Sequence, residues 1–243
     1  MTISNNDLKK YSSLNRKIKR KEYQLFVVEG EKICKELLKN DFEFESIFAT
    51  EDLQNEFPLA TVCSRKEIAR ISHLKSPSNV IAICKTPTYK IISKDKKPLI
   101  FLDNVNDPGN LGTIIRTLDW FGYKQLFCSK NTVDCFNNKS VMSSMGSIFR
   151  INCHYIDFDE FQQLFPQHVT YGTSLNGENI DSVRLGTNSI IVIGNESNGI
   201  SKKIMDKLNN TIRIPGVGNA ESLNVSVATG IVLNELGKIN PQK

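Results

Sequence analysis

Short apolar runs alternate with amphipathic segments from residue 99 to residue 236, and this alternation restricts the fold more than any other feature of the chain. The apolar runs have the length of buried strands, and the segments between them carry helical periodicity. The predicted strands are Leu99–Leu102, Gln125–Cys128, Ile151–Ile156, Val169–Thr173, Ile190–Ile193 and Thr211–Ile214. The predicted helices are Leu111–Phe121, Lys139–Met145, Phe158–Leu164, Lys202–Leu208 and Ser222–Leu236. Such an alternation predicts an α/β fold with a mostly parallel sheet and helices on both faces.

The N-terminal part of the chain has a less regular pattern, which predicts a separate, smaller α/β domain. Its predicted helices are residues 4–18, Glu31–Lys39 and Ser64–Ser72, and its predicted strands are Leu25–Val28, Ser46–Ala49 and Asn79–Cys84. Ser64, with Glu67 three residues later, predicts a capping box. A polar stretch that contains Lys94-Asp95-Lys96-Lys97-Pro98 follows. We therefore predict a first domain over residues 1–90, a linker over 91–98 and a second domain over 99–243.

The positive charge of the chain is concentrated in the N-terminal part. Residues 1–97 contain 19 Lys and Arg against 13 Asp and Glu, whereas residues 98–243 contain 12 against 13. The densest basic segment includes Arg16, Lys17, Lys19, Arg20 and Lys21, which we predict to bind RNA. A solvated helix face without a partner would give the same pattern.

Composition excludes several classes of protein. No apolar run approaches the roughly 20 residues that span a bilayer, and the first residues lack the pattern of a signal peptide. The six cysteines have no metal-ligand spacing, so we expect reduced, mostly buried thiols in a cytoplasmic protein. The three histidines are scattered, and we expect no metal site.

Three polar, glycine-bearing segments each follow a predicted strand. They are residues 107–116, 194–199 and 214–224. In an open α/β fold, ligands bind where loops leave the carboxyl ends of the strands, so the three segments predict one composite pocket. The glycines could also be ordinary turn residues.

The glycine spacings do not match a phosphate-binding loop. Gly194 and Gly199 have the spacing of a P-loop, but Ile200 stands where the phosphate-binding lysine is required. No GxGxxG motif follows the first strand of the second domain. A nucleoside-like ligand, read by backbone groups, fits the glycines better than a triphosphate.

The polar side chains of the three segments suggest a common task. Arg116 lies six residues after Asn110, and its guanidinium could bind an RNA phosphate. Glu196 could orient an arginine or an asparagine. Ser222 is a good N-cap for the last helix, whereas Asn224 lacks an evident structural reason in a first turn and fits a positioning role.

In their order along the chain and in their residues, the three segments resemble the three motifs of the SpoU (TrmH-type) RNA 2′-O-ribose methyltransferases. Asp107 to Arg116 is similar to the first motif, Gly194 to Gly199 to the second, and Pro215 to Ala228 to the third. The segment Phe26-Val27-Val28-Glu29-Gly30 resembles the start of the L30e-like RNA-binding domain of many members. Leu118 and Ser197-Asn198 depart slightly from the family pattern.

The resemblance implies a second domain with a deep trefoil knot, S-adenosylmethionine as cofactor and a homodimer with composite active sites. The implied catalytic residues are Asn110, Arg116, Glu196, Ser222 and Asn224. The implied cofactor-binding residues are Thr173, Ser174, Leu175, Gly194, Ile214 and Leu223. The implied reaction is methylation of a ribose 2′-hydroxyl in structured RNA, with rRNA favoured over tRNA.

Two alternatives stay open on the sequence. One is a catalytically silent RNA-binding or ribosome-associated protein with the same fold. The other is a nucleotide-dependent enzyme such as a dehydrogenase, although its fingerprint glycines are missing. The general base of a methyl transfer is not identified by the sequence, and an arginine is a poor base because it normally stays protonated.

Overall fold

A computed structural model describes residues 3–93 and 97–239 of the 243-residue chain. The chain divides into two compact units. The first contains residues 1–88 and 134–150, and the second contains residues 89–133 and 151–243. The predicted linker over 91–98 lies partly outside the described residues, since 94–96 are not among them, and the domain boundaries stay a prediction.

The first unit is built around a four-stranded sheet with strand order β1-β4-β2-β3. Its strands are β1 Leu25–Glu29, β2 Phe44–Ala49, β3 Thr61–Val62 and β4 Val80–Lys85. Its helices are α1 Asn5–Ser12, α2 Lys17–Tyr23, α3 Glu31–Lys39, α4 Arg65–Ile71 and α6 Asn138–Ser144, with short 3-10 turns at Ser13–Asn15, Glu51–Leu53 and Ser147–Phe149. Strand β4 is antiparallel to both β1 and β2, and its apolar residues are buried.

Local sequence signals explain the helix boundaries of this unit. Ser64 caps α4, and Glu67 completes the predicted capping box, which is confirmed. The predicted helix over residues 4–18 is wrong as a single element, because α1 ends at Ser12 and a 3-10 turn follows it. The basic residues that follow form the separate helix α2, which ends at Tyr23 and is followed by the C-cap residue Gln24 in a left-handed conformation.

Residues 134–150 belong to the first unit although they lie between strands of the second unit in the sequence. The ring of Phe136 packs 4.5 Å from that of Phe26 on β1. Asp134 accepts two hydrogen bonds from Arg20, and Arg150 forms an ion pair with Glu36 at 2.9 Å. The ring of Phe149 also packs 4.9 Å from that of Phe42. Aromatic contacts and two ion pairs thus hold this segment to the rest of the first unit.

The second unit contains a six-stranded parallel sheet with strand order β10-β8-β9-β5-β6-β7. Its strands are β5 Leu99–Leu102, β6 Gln125–Cys128, β7 Asn152–Tyr155, β8 Val169–Asn179, β9 Ser189–Ile193 and β10 Asn210–Arg213. Its helices are α5 Pro108–Trp120, α7 Phe158–Leu164, α8 Lys202–Met205 and α9 Val225–Ile239. The predicted α/β class and parallel sheet are confirmed. Strands β5, β6 and β9 are buried along their whole length, as expected when helices cover both faces.

Strands β8 and β10 approach each other unusually closely. Their pairing shifts register between Thr211 and Ile212, so that Gly172 pairs with Thr211 while Glu178 pairs with Ile212. A Cβ on Gly177 would lie 2.5 Å from the backbone carbon of Ile212, and therefore only glycine fits there. The trefoil knot implied for this part of the chain stays a prediction.

The cysteines agree with the expectation from the sequence. None of the six forms a disulfide, and all except the half-buried Cys153 are buried. Burial raises the pKa of Cys34 to about 12 and that of Cys63 to about 11, so these thiols stay protonated and unreactive at neutral pH. In the described ranges, no helix has the length and apolarity that crossing a membrane requires.

Candidate functional site

The candidate site lies among the segments that follow the carboxyl ends of strands β5, β9 and β10. Asp103 directly follows β5 and is buried. Its N–H donates to the carbonyl of Ile193 at 2.8 Å, and its carboxylate accepts a hydrogen bond from the N–H of Ser201 at 2.7 Å. Asp103, which no sequence motif singles out, holds the loop after β5 against the loop after β9.

Helix α5 begins at Pro108, three residues earlier than predicted. Asp107 is its N-cap and accepts a hydrogen bond from the N–H of Asn110 at 2.9 Å. Pro108 occupies the first helical position, where no N–H is needed. The capped first turn fixes the backbone of Asn110 and aims its side chain toward the loops after β9 and β10.

Asn110 is the centre of a cluster formed by one residue from each polar segment. Its Nδ2 donates to Oε1 of Glu196 at 2.5 Å, and its Oδ1 accepts a hydrogen bond from Nδ2 of Asn224 at 3.1 Å. These residues are 86 and 114 positions away from Asn110 in the sequence. The amide orientation of Asn110 is therefore fixed, because the carboxylate can only accept from it.

The loop after β9 is a tight hairpin that presents Glu196. Asn195 and Gly199 exchange two backbone hydrogen bonds of 2.9 Å each. A Cβ on Gly194 would lie 2.1 Å from the carbonyl carbon of Gly199, so Gly194 is required for this close approach. Asn195 Oδ1 accepts from the N–H groups of Ser197 and Asn198, which closes the turn.

Asn224 has a structural role in addition to its place in the cluster. Its Oδ1 accepts hydrogen bonds from the N–H and hydroxyl of Ser226, at 2.9 and 2.6 Å, at the start of α9. Asn224 is therefore the N-cap of this helix, and the prediction that Ser222 caps it is wrong because α9 begins at Val225. Ser222 is exposed and does not join the Asn110 cluster in the described part of the chain.

Arg116 lies on an exposed position of α5, two turns after the N-cap. Its guanidinium makes no hydrogen bond or ion pair with any described residue. A permanently charged group without a protein partner is available to an anionic ligand.

The predicted cofactor-binding residues fall in two kinds of surroundings. Thr173, Ser174 and Leu175 lie on β8 within the register shift, where residues 173–177 face no paired residue of β10. Gly194 is buried, Ile214 is half-buried, and Leu223 is exposed. The stretch from 173 to 177 thus offers backbone N–H and C=O groups that the sheet does not use.

Of the five basic residues predicted to bind RNA, Arg16 directly precedes α2 and the other four lie on this helix. Arg16, Lys17 and Lys21 are exposed, while Lys19 is half-buried and forms an ion pair with Glu22. Arg20 is only 5% exposed, and its guanidinium binds Asp134 and two backbone carbonyls. The structure therefore contradicts the prediction that Arg20 binds RNA, because its donors already have partners within the unit.

The chain matches two family models. The model of the SpoU rRNA Methylase family matches residues 97–234, and the model of the MRM3-like substrate binding domain matches residues 5–82.

Individual relatives match almost from end to end. The 23S rRNA (guanosine(2553)-2′-O)-methyltransferase RlmP of Bacillus subtilis is 30% identical over 97% of this chain and 97% of its own length. A solved structure of an AdoMet-bound rRNA methyltransferase from Sinorhizobium meliloti has a TM-score of 0.89 at 25% identity, covering 100% of this chain and 99% of its own. A putative RNA methyltransferase of the TrmH family from Porphyromonas gingivalis has a TM-score of 0.85 at 29% identity, covering 96% and 98%.

Proposed function

The chain belongs to the SpoU rRNA methylase family, and on this premise we propose that it transfers a methyl group from S-adenosylmethionine to a ribose 2′-hydroxyl of structured RNA. The observation that carries the proposal is the Asn110–Glu196–Asn224 cluster, because three separate loops converge on one hydrogen-bonded group. A cluster of this kind, held half-exposed at the ends of parallel strands, is typical of an active site rather than of a core.

The residues proposed for the cofactor fit a nucleoside. Backbone groups at Thr173, Ser174 and Leu175 are not used by the neighbouring strand, and an adenine can be read by such groups. Leu175 and Leu223 are large apolar side chains that are 71% and 45% exposed, and an aromatic ring could cover them. When bound there, S-adenosylmethionine supplies an electrophilic methyl group on a positively charged sulfur.

The side chains of the cluster would position the ribose. Asn110 has one Nδ2 proton that Glu196 does not take, and Glu196 has a second carboxylate oxygen, Oε2. These groups can donate to and accept from the ribose hydroxyls, which aligns the 2′-oxygen for in-line attack. Positioning of this kind is worth on the order of 7–11 kcal/mol of the barrier.

We assign to Arg116 the binding of the phosphate of the target nucleotide. Its guanidinium is exposed and without a protein partner among the described residues, and it can bind a phosphate with two parallel hydrogen bonds. The same positive charge stabilises negative charge that develops on the 2′-oxygen. The guanidinium is not assigned as the base, because it keeps its protons at neutral pH.

We infer that the substrate is rRNA rather than tRNA. The relative that is similar over 97% of the chain acts on 23S rRNA, and the first unit matches a substrate-binding domain over residues 5–82. Arg16, Lys17, Lys19 and Lys21 would contact RNA phosphates from this unit. We infer a cytoplasmic location, which fits the absence of disulfides among the six cysteines.

We also infer a homodimer and a knotted second unit. Trp120 on α5 is 85% exposed and Val227 on α9 is 50% exposed, although α5 and α9 pack together. Exposed apolar groups of this size indicate a surface that a second copy would cover. The knot is inferred from the family resemblance, and the close contact of Gly177 on β8 with the backbone of Ile212 on β10 fits tightly packed chain in that region.

Methyl transfer to RNA tests the function directly. The protein is incubated with labelled S-adenosylmethionine and with total rRNA and tRNA from cells that lack it, and 2′-O-methyl sites are mapped. Label at one ribose of rRNA is expected. Label confined to tRNA would contradict the inference that rRNA is the substrate and would identify tRNA instead. Binding of RNA without any transfer, and without binding of S-adenosylmethionine, would favour the silent RNA-binding alternative.

The variant Arg116→Ala tests the assigned role of the guanidinium. We expect methylation to fall at least about 10³-fold while S-adenosylmethionine affinity, measured by calorimetry, stays within twofold. The matched control is Arg184→Ala, since Arg184 is also exposed in the second unit. Loss of cofactor affinity in Arg116→Ala would contradict the assignment.

A further inference from the structure

A cavity lined by asparagines lies next to the Asn110 cluster and is not used by the mechanism above. Its volume is about 290 Å³. Five asparagines, at positions 104, 106, 131, 195 and 198, line it together with Ser201. They come from the segments after β5, β6 and β9, which are adjacent strands in the sheet.

The lining of the cavity is polar but carries no ionisable side chain. A phosphate would require cations or a helix N-terminus, and a metal ion would require carboxylates. Each asparagine offers an acceptor oxygen and two donor hydrogens on one planar group. A neutral planar ligand with donors and acceptors along its edge, which is the chemistry of a nucleobase, fits such a lining.

Two of the asparagines build the wall of the cavity. Asn195 Nδ2 donates to the carbonyl of Asn104 at 2.9 Å, which ties the loop after β9 to the segment after β5. Asn104 has a φ of 55°, in the left-handed region, and its N–H donates to Ser129 Oγ at 2.9 Å. Asn104 is thus tied to the loop after β9 and to the loop after β6.

The other three asparagines, at positions 106, 131 and 198, have amide groups that the protein leaves for a ligand. All three side chains are exposed, and their amides form no hydrogen bond within the described residues. The two amides at 131 and 198 belong to different loops, after β6 and after β9. They can therefore contact one planar ligand from two sides.

The cavity and the Asn110 cluster share one loop. Asn195 lines the cavity, and the next residue, Glu196, accepts the hydrogen bond from Asn110. In a nucleotide, the base is attached to the carbon next to the one that bears the 2′-hydroxyl. A ribose positioned by Asn110 and Glu196 would thus place its base within reach of the cavity.

We propose that this asparagine cavity binds the nucleobase of the target nucleotide and selects it by hydrogen bonds from Asn106, Asn131 and Asn198. The inference rests on the proposed function, since it assumes a ribose at the Asn110 cluster. The nucleotide would be turned out of its stack so that its polar edge faces the amides. The six residues assigned to the cofactor do not line the cavity, so both ligands can be present together.

The experiment compares base preference between the wild-type protein and the variants Asn131→Ala and Asn198→Ala. The substrate is a synthetic fragment of the RNA that the wild-type protein labels, made in four versions that differ only in the base at the target position. Single-turnover methylation is measured for each version, and S-adenosylmethionine affinity and melting temperature are measured alongside. The control is Asn55→Ala, an exposed asparagine in a turn of the first unit.

We expect the wild-type protein to prefer one base and each variant to lose about 10- to 100-fold of its rate on that base, with a much smaller loss on the other three. Cofactor affinity should not change, and Asn55→Ala should behave as the wild type. An equal loss on all four bases, an unchanged preference, or a loss of cofactor affinity would each overturn the inference. If the wild-type protein methylates no RNA, the proposed function fails and the inference fails with it, whereas an active wild-type protein with unaffected variants would disprove the inference alone.

Discussion

The polar groups inside the first unit differ from those at the site of the second unit in how completely they are bonded. Arg20 uses three of its nitrogens on Asp134 and two carbonyls, and the fully buried Glu29 accepts hydrogen bonds from Ser72 and Ser78. At the site, Asn110 and Glu196 bond each other and keep further donors and acceptors available. Saturated networks specify a fold, whereas partly open networks are available to bind a ligand.

The comparison predicts opposite mutational outcomes in the two regions. Removal of a member from the closed network should lower stability, because the partner left behind is buried and unpaired. Removal of a member from the open network should lower activity and leave stability nearly unchanged. The following variants test this contrast.

The largest effect is expected for Arg20→Ala. The substitution leaves the Asp134 carboxylate, which is 15% exposed, without its cation, and it also leaves the carbonyls of Leu14 and Asn15 without their donor. We expect a loss of about 3–5 kcal/mol in the free energy of unfolding of the first unit. Urea unfolding, with hydrogen exchange to assign the change to that unit, measures it.

The control for Arg20→Ala is Arg16→Ala, an exposed arginine four residues earlier. Its substitution should change stability by no more than about 0.5 kcal/mol. Similar stabilities for the two variants would mean that the Arg20–Asp134 network does not hold residues 134–150 to the first unit.

For Glu196→Gln we expect a smaller effect than for Arg20→Ala. This effect should lower the methylation rate rather than the free energy of unfolding. The amide keeps the size of the side chain but removes the negative charge that orients Asn110. We expect methylation to fall about 10²-fold, while the free energy of unfolding changes by less than about 1 kcal/mol. Glu160→Gln, at an exposed position on α7, is the control. A stability loss as large as that of Arg20→Ala would remove the distinction between the two regions.

The smallest effect is expected for the double variant Lys17→Ala/Lys21→Ala, at exposed positions of α2. If both lysines contact RNA phosphates, affinity should weaken equally for all RNA sequences. The negative slope of log K against log salt should become shallower by about 1 for each lysine. Filter binding over a range of salt concentrations measures the slope, and Lys75→Ala is the control with an exposed lysine outside the basic segment. An unchanged slope would show that the basic segment is only a solvated helix face.

Elements that depend on neighbouring residues were predicted well from the sequence. The bounds of β5, β6, α3 and α7 match the prediction, and so does the capping box at Ser64. Apolar runs and caps act over a few residues, so their consequences can be read locally. The start of α9 was misplaced by three residues because Ser222 and Asn224 are both good caps and only the backbone path decides between them.

The prediction failed where distant residues decide the outcome. Strand β8 continues to Asn179 through a polar stretch, because β10 lies beside it and pairs again after the register shift. In the sequence, Arg20 resembles its basic neighbours. In the structure, however, its guanidinium donates hydrogen bonds to Asp134, which is 114 residues away. A local pattern has no information about such a partner.

The sequence by itself determined the alternation of strands and helices, the parallel sheet of the second unit and the three polar segments that belong together. Only the tertiary structure decided that Asn110, Glu196 and Asn224 form one hydrogen-bonded cluster, that Ser222 and Arg116 make no hydrogen bond to it among the described residues, and that residues 134–150 belong to the first unit. The physical reason is the range of the interactions. Periodicity, turns and caps involve residues a few positions apart, whereas a hydrogen bond between side chains 86 or 114 positions apart exists only after the sheet has brought the strand ends together.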